Sequence, residues 1–255
     1  MGNLRMTTAR NYILTVLTLV CSLALYAENK LAIINDPDGF TFVRNGQGMD
    51  FKVIDTLLAE DFFYFHLIDN SDWAKVTAWK GRQIEGYVHK SRIQEVDKLD
   101  LSKQKDLIIK TLERHKILAE NFQNAWQSRD SLAYRTTVRA LEFHSDTKYD
   151  PILDILPKYF CKASDPEVLQ LLFATMWADK GSANEMPSFS IGNCFMCNPD
   201  MVIQQLIQIK HLEQKELLLD QIEWGIINHF SIDENGKSEN EEFNSLKRQL
   251  DNVKK

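Results

Sequence analysis

The residues with the most chemical potential are four in a row: Cys194-Phe195-Met196-Cys197. Two thiols at this spacing, next to a helix N-terminus, suit thiol–disulfide exchange, because the helix end lowers a thiol pKa. Asn198-Pro199 follows and opens a helix. No βαβ pattern surrounds the motif, so Cys194 and Cys197 are a candidate disulfide or redox pair, with a structural bridge or buried thiols favoured and Cys161 as a further partner. Zinc would need two more ligands. His144 and His211 are the nearest in sequence, there is no second CxxC, and no metal site is expected. The remaining histidines, His66, His89, His115 and His229, are scattered. His115 lies on an apolar helix face and reads as a core histidine. No HExxH, P-loop, Rossmann fingerprint or nucleophile elbow occurs, and no cofactor or catalytic set is expected.

A second concentration is aromatic. Phe40, Phe42, Phe63, Tyr64, Phe65, Trp73, Trp79 and Tyr87 crowd one short stretch. They exceed what a small core can hold. Strand neighbours face opposite ways, so Phe63 and Phe65 share one face and Tyr64 takes the other. Some must therefore lie on the surface or against other elements. Phe40, Tyr64, Trp73, Trp79, Tyr87 and His89 are the candidate ligand-binding residues.

The elements that would position these groups fall into two modules. Residues 31–96 read as short strands. Asp36-Pro37-Asp38-Gly39 and Asn45-Gly46-Gln47-Gly48 are turns, since proline presets φ and glycine accepts a positive one. Strands of five to seven residues between polar turns indicate a small barrel or sandwich. Trp73 and Val76 are expected to help fill its core.

This stretch resembles the bacterial SH3-like domain. The resemblance rests on Asp36 to Gly48, on Val53-Ile54, on Asp72-Trp73-Ala74-Lys75-Val76, and on Gly86-Tyr87-Val88-His89-Lys90-Ser91-Arg92-Ile93. Phe42, Gln47 and Tyr87 stand where the family usually has Asn, Pro and Trp. The resemblance implies a β-barrel that binds a peptide or peptidoglycan-type ligand.

From residue 101 the period changes. Ile108, Leu112, His115, Ala119, Phe122 and Trp126 recur at spacings of three and four, which places them on one helix face. Helices are expected at 132–143, from Tyr149 to about 161, and from a Ser164-x-x-Glu167 capping box to about 178. Residues 179–192 read as a loop, alternatively with a short helix in it, and helices follow at 198–210 and 214–229. Residues 101–230 thus form an all-α bundle or helical-repeat-like domain. Residues 231–255 read as a polar tail or loose helix. The fold class is α+β with two modules.

Residues 1–27 read as a secretory signal peptide: Arg5 and Arg10, then an apolar run over 12–26 ending at Ala27. The expectation is an exported protein, periplasmic or extracellular, with no stable membrane span after signal removal; a retained leader would leave it membrane-attached. Loss of the leader leaves 28 basic against 36 acidic residues, a net charge of −8. Such a chain repels phosphate backbones, so nucleic acid is not an expected partner. The expected function is non-enzymatic binding, with a peptide, a peptidoglycan fragment or an envelope protein as partner. In one alternative the barrel's groove is blocked and the helices bind a partner protein. In the other, Cys194 and Cys197 make a thiol-redox enzyme.

Overall fold

The computed structural model describes residues 29–230, 232 and 238–254. The leader, and most of the polar stretch before the last helix, lie outside them. The described chain is α+β, with an N-terminal antiparallel sheet and a C-terminal helical part.

Seven strands make the sheet: β1 (Lys30–Ile34), β2 (Phe40–Arg44), β3 (Val53–Leu58), β4 (Phe63–Leu67), β5 (Trp73–Trp79), β6 (Gln83–His89) and β7 (Ile93–Glu95). Their order is β3-β2-β6-β5-β4-β1-β7, with every pair antiparallel. Alternation sets the sheet's own core: Val43, Leu57, Phe63, Phe65, Ala74, Val76, Ile84 and Val88 all point inward. Gly86 is obligatory in this layer. A Cβ there would lie 2.5 Å from Val43 Cγ1 and 2.6 Å from the Arg44 carbonyl, so β6 could not approach β2.

Trp73 is not a member of that core. It is three residues from Val76, and an odd spacing on a strand puts the two on opposite faces. Trp73 is therefore on the outer face of β5, nearly buried by other means.

The helices are α1 (Leu101–Ser128), α2 (Ser131–His144), α3 (Asp150–Ala163), α4 (Pro166–Ala178), α5 (Met186–Cys197), α6 (Pro199–Gln208), α7 (Leu212–His229) and α8 (Glu241–Lys254). Asp100 caps α1 by accepting from the Lys103 N–H, and Asp130 caps α2 from Leu132 and Ala133. One π-helical turn, Ser145–Tyr149, joins α2 to α3 without a break. Pro151 has no N–H for an α-helical bond to the preceding turn, which favours the wider turn there.

Three local expectations are corrected. The cap of α4 is Asp165, which accepts from the Glu167 and Val168 N–H groups; Ser164 instead ends α3 in the left-handed region. The loop at 179–192 is shorter than expected and its helix longer, because α5 begins at Met186 and runs through the cysteine motif. Its buried face carries Pro187, Ser188, Ser190 and Gly192, while Phe189 and Met196 lie half-buried on the opposite face, so no apolar stripe marks it. The last helix is packed rather than loose: Phe243, Leu246 and Leu250 sit in the same core as α7.

Sheet and helices share that core. Leu31, Phe62, Val96 and Leu99 pack into the same buried cluster as Ile108, Leu112, Tyr149 and Ile152. Trp126 does not join it, being 63% exposed at the end of α1. Among the described residues no helix is long and apolar enough to cross a membrane.

Candidate functional site

The outer face of the sheet carries a cleft of about 470 Å³. Strand β2 builds one side. Thr41 and Val43 point inward, so Phe40, Phe42 and Arg44 point out, and both phenyl rings are more than a third exposed. The two rings meet edge to face at 5.4 Å. Trp73 and His89 build the floor. They are direct cross-strand partners on β5 and β6, and their rings meet edge-on at 5.6 Å. Met49, Asp36, Asp38, Ser91 and Arg92 complete the rim.

Hydrogen bonds hold this rim in place. One guanidinium nitrogen of Arg44 donates to the carbonyls of Met49 and Phe51, at 2.8 and 2.7 Å, and fastens the loop between β2 and β3. Arg92 pairs with Asp36 at 2.7 Å. His89 Nδ1 lies 2.8 Å from Ser91 Oγ, which fixes the ring plane. The Asp38 carboxylate has no side-chain partner among the described residues. The cleft thus offers exposed apolar rings, one uncommitted acid and the outer edge of an imidazole.

Of the six expected ligand residues, the structure brings together Phe40, Trp73 and His89. Tyr64 faces the helices, where its hydroxyl donates to Asp154 Oδ2 at 3.0 Å. Burial and that carboxylate push the phenol pKa up. Trp79 is exposed at the far end of β5, and Tyr87 lies on β6 beside Arg44 and Lys75. The aromatic excess divides in two: Phe62 and Tyr64 join sheet to helices, while Phe40, Phe42 and Trp73 line the cleft. Phe42, Arg44 and Arg92 were not singled out as ligand residues. Strand parity with Phe40 was the signal for the first two.

The cysteines do not pair within their motif. Cys197 is bonded to Cys161 across a Cα–Cα distance of 5.3 Å, and Cys194 is free and buried. The physical reason is the helix itself. Cys194 points into the core, whereas Cys197 sits in the last turn of α5, facing the end of α3. Burial pushes the Cys194 thiol pKa up, the opposite of an activated nucleophile.

A second polar cluster is internal. His115 is fully buried in α1 and stacks on Tyr149 at 3.6 Å with the planes 11° apart. Its Nε2 lies 3.3 Å from Asp179 Oδ2, and its Nδ1 lies 3.3 Å from His144 Nδ1. If Nε2 donates to the carboxylate, Nδ1 must accept, so His144 donates from its own Nδ1 and presents Nε2 outward. Burial, then His115, Arg114 and Lys148, push the His144 pKa down to about 3.

This has a sign. The folded value lies below the ordinary histidine value near 6.5, so below about pH 6.5 the unfolded chain takes up a proton that the folded chain refuses. Stability therefore falls as pH drops. Solvent at the ring's outer edge reduces the full slope to about 1 kcal/mol per pH unit between about pH 6 and pH 4. Asp150 and Asp154, whose pKa values are raised by burial, contribute the opposite slope. Comparison with His144→Asn isolates the histidine: urea midpoints across this range should fall less steeply in the variant, and parallel slopes would contradict the assignment.

Among the described residues no group of three or more His, Cys, Asp or Glu side chains is placed to hold a metal ion. The chain matches no protein-family model, no curated protein and no solved structure.

Proposed function

We propose that this chain is an exported, non-enzymatic envelope protein whose sheet is a bacterial SH3-like barrel. Its aromatic cleft binds an extended peptide, of the class found as peptidoglycan stems. The observation that carries this reading is the openness of the cleft. Phe40, Phe42, Trp73 and His89 line it, and no described residue of the helical part does. The reading in which the helices block the groove has no such support.

The chemistry of the cleft fits a short, zwitterionic peptide. Aromatic rings accept apolar side chains and the flat faces of peptide groups. Asp38 suits an ammonium group, and the outer nitrogen of His89 can exchange a hydrogen bond with a backbone amide. The fixed rim means little ordering cost on binding. The Cys161–Cys197 bridge supports the exported reading, because disulfides persist in oxidising compartments. The shared core supports a supporting role for the helices: they cover the outward face at β1 and β4 and leave the cleft at β2, β5 and β6 free.

Cosedimentation with purified cell-wall sacculi tests the proposal. The mature chain should be retained, and Phe42→Ala, which removes an exposed ring, should weaken retention about tenfold. No retention of the folded wild-type chain would remove the wall ligand from the account.

A further inference from the structure

A different pocket, of about 270 Å³, lies where the sheet meets the helices. Its floor is apolar: Ile33 and Phe62 from the sheet and Leu107 from α1. Its wall is cationic. Leu107, Lys110, Thr111 and Arg114 are spaced three, four and seven residues apart on α1 and so share a face. His144 reaches in from the end of α2, and Lys148 from the π-helical turn. Among the described residues Glu60 is the one acid lining the pocket, in a chain of net charge −6.

Several of these groups have unused bonding capacity. Thr111 is 7% exposed, yet its hydroxyl has no hydrogen-bond partner among the described residues. Arg114, on the same face one turn on, has no ion-pair partner among them either. His144 uses Nδ1 on His115 and leaves Nε2 over. Lys110 bonds the Glu60 carboxylate, and that pair is largely exposed and easily redirected. Lys148 bonds the Glu60 carbonyl and pairs with Asp61 at 3.6 Å. Arg114 and Lys148 both repel a proton from His144. Positive groups therefore converge on one ring, at a partly apolar cavity.

We propose that this junction pocket binds a small monocarboxylate with a short apolar tail. Arg114, Thr111 and Lys148 hold the carboxylate, and the tail lies on Phe62, Ile33 and Leu107. The volume equals that of roughly nine waters in the liquid, room for a molecule the size of hexanoate. An amine would meet the cations, and an alcohol would forgo the charge-assisted bonds that Arg gives a carboxylate. The pocket is separate from the aromatic cleft, and its test does not depend on wall binding.

The experiment titrates hexanoate, hexanol and hexylamine into the full mature chain. Calorimetry reads affinity, and the His144 ring proton, assigned through His144→Asn, reads location by NMR. At pH 7 hexanoate should bind one to one and should shift the His144 ring proton as the anion offsets Arg114 and Lys148. Hexanol should bind at least tenfold more weakly and hexylamine not at all. Arg114→Gln, at an exposed position, should keep the wild-type melting temperature, weaken hexanoate about tenfold and leave hexanol unchanged. The proposal fails if hexanoate does not bind, if hexanol binds as well, if His144 does not respond, or if Arg114→Gln is neutral for hexanoate.

Discussion

Gly225→Ala should cost about 3 kcal/mol of stability, although alanine is the better helix former by about 1 kcal/mol. The cause is the crossing of α5 and α7. A Cβ on Gly225 would lie 2.2 Å from the Ser188 carbonyl oxygen and 3.0 Å from the Gly192 Cα. A Cβ on Gly192 would lie 2.8 Å from the Gly225 backbone. The two helices touch backbone to backbone, so no side-chain rotation can relieve the clash. The Ser188 hydroxyl and Gln221 also bond across this crossing, and a shift of either helix would break that contact. Urea unfolding of Gly225→Ala should show a clearly lower midpoint with an unchanged sheet signal before the transition. An unchanged or higher midpoint would mean that the helices do not cross so closely.

The Cys161–Cys197 bridge should carry the second large effect. It ties the end of α3 to the end of α5 across 36 residues of sequence. Closing a loop of that length in the unfolded chain is worth about 3–4 kcal/mol in the chain-entropy account. For a domain of this size the corresponding fall in melting temperature on replacing both cysteines with serine is about 10 °C. The third cysteine sharpens the test. Cys194 is buried, and burial disfavours its thiolate. A maleimide should leave the native oxidised mature chain, which lacks the leader's Cys21, unlabelled, and should label Cys194 only as the chain unfolds. Rapid labelling of Cys194 in the native state would revive thiol chemistry at the motif.

The strands were legible in the sequence because turn residues and alternation mark them one by one. Parity placed Phe63 and Phe65 on one face and Tyr64 on the other, and in the structure the pair is inside and Tyr64 outside. The same rule, applied to Trp73 and Val76, forbids the shared core expected of them. What strand parity does not contain is which outer face meets the helices and which meets solvent. That is why Tyr64 looked as good a ligand residue as Phe40. Helix α1 was legible from its apolar period, down to His115 as a core residue. Helix α5 was not, since its buried face is largely Pro, Ser and Gly and so shows no apolar period, and its Ser, Gly, Asn and Cys residues argue against helix locally. With the motif read as lying just before a helix, Cys194 and Cys197 remained candidates to pair with each other as well as with Cys161. On a helix, one faces the core and the other faces α3.

The central claim is that the outer cleft of the sheet is a peptide site. Its most direct test is an NMR titration of the isotope-labelled mature chain with a soluble peptidoglycan stem tetrapeptide. Saturable shifts should appear at residues 36–44 and 89–92 and at the Trp73 indole, with the helices silent. Shifts confined to the helical part, or none at millimolar peptide, would contradict it.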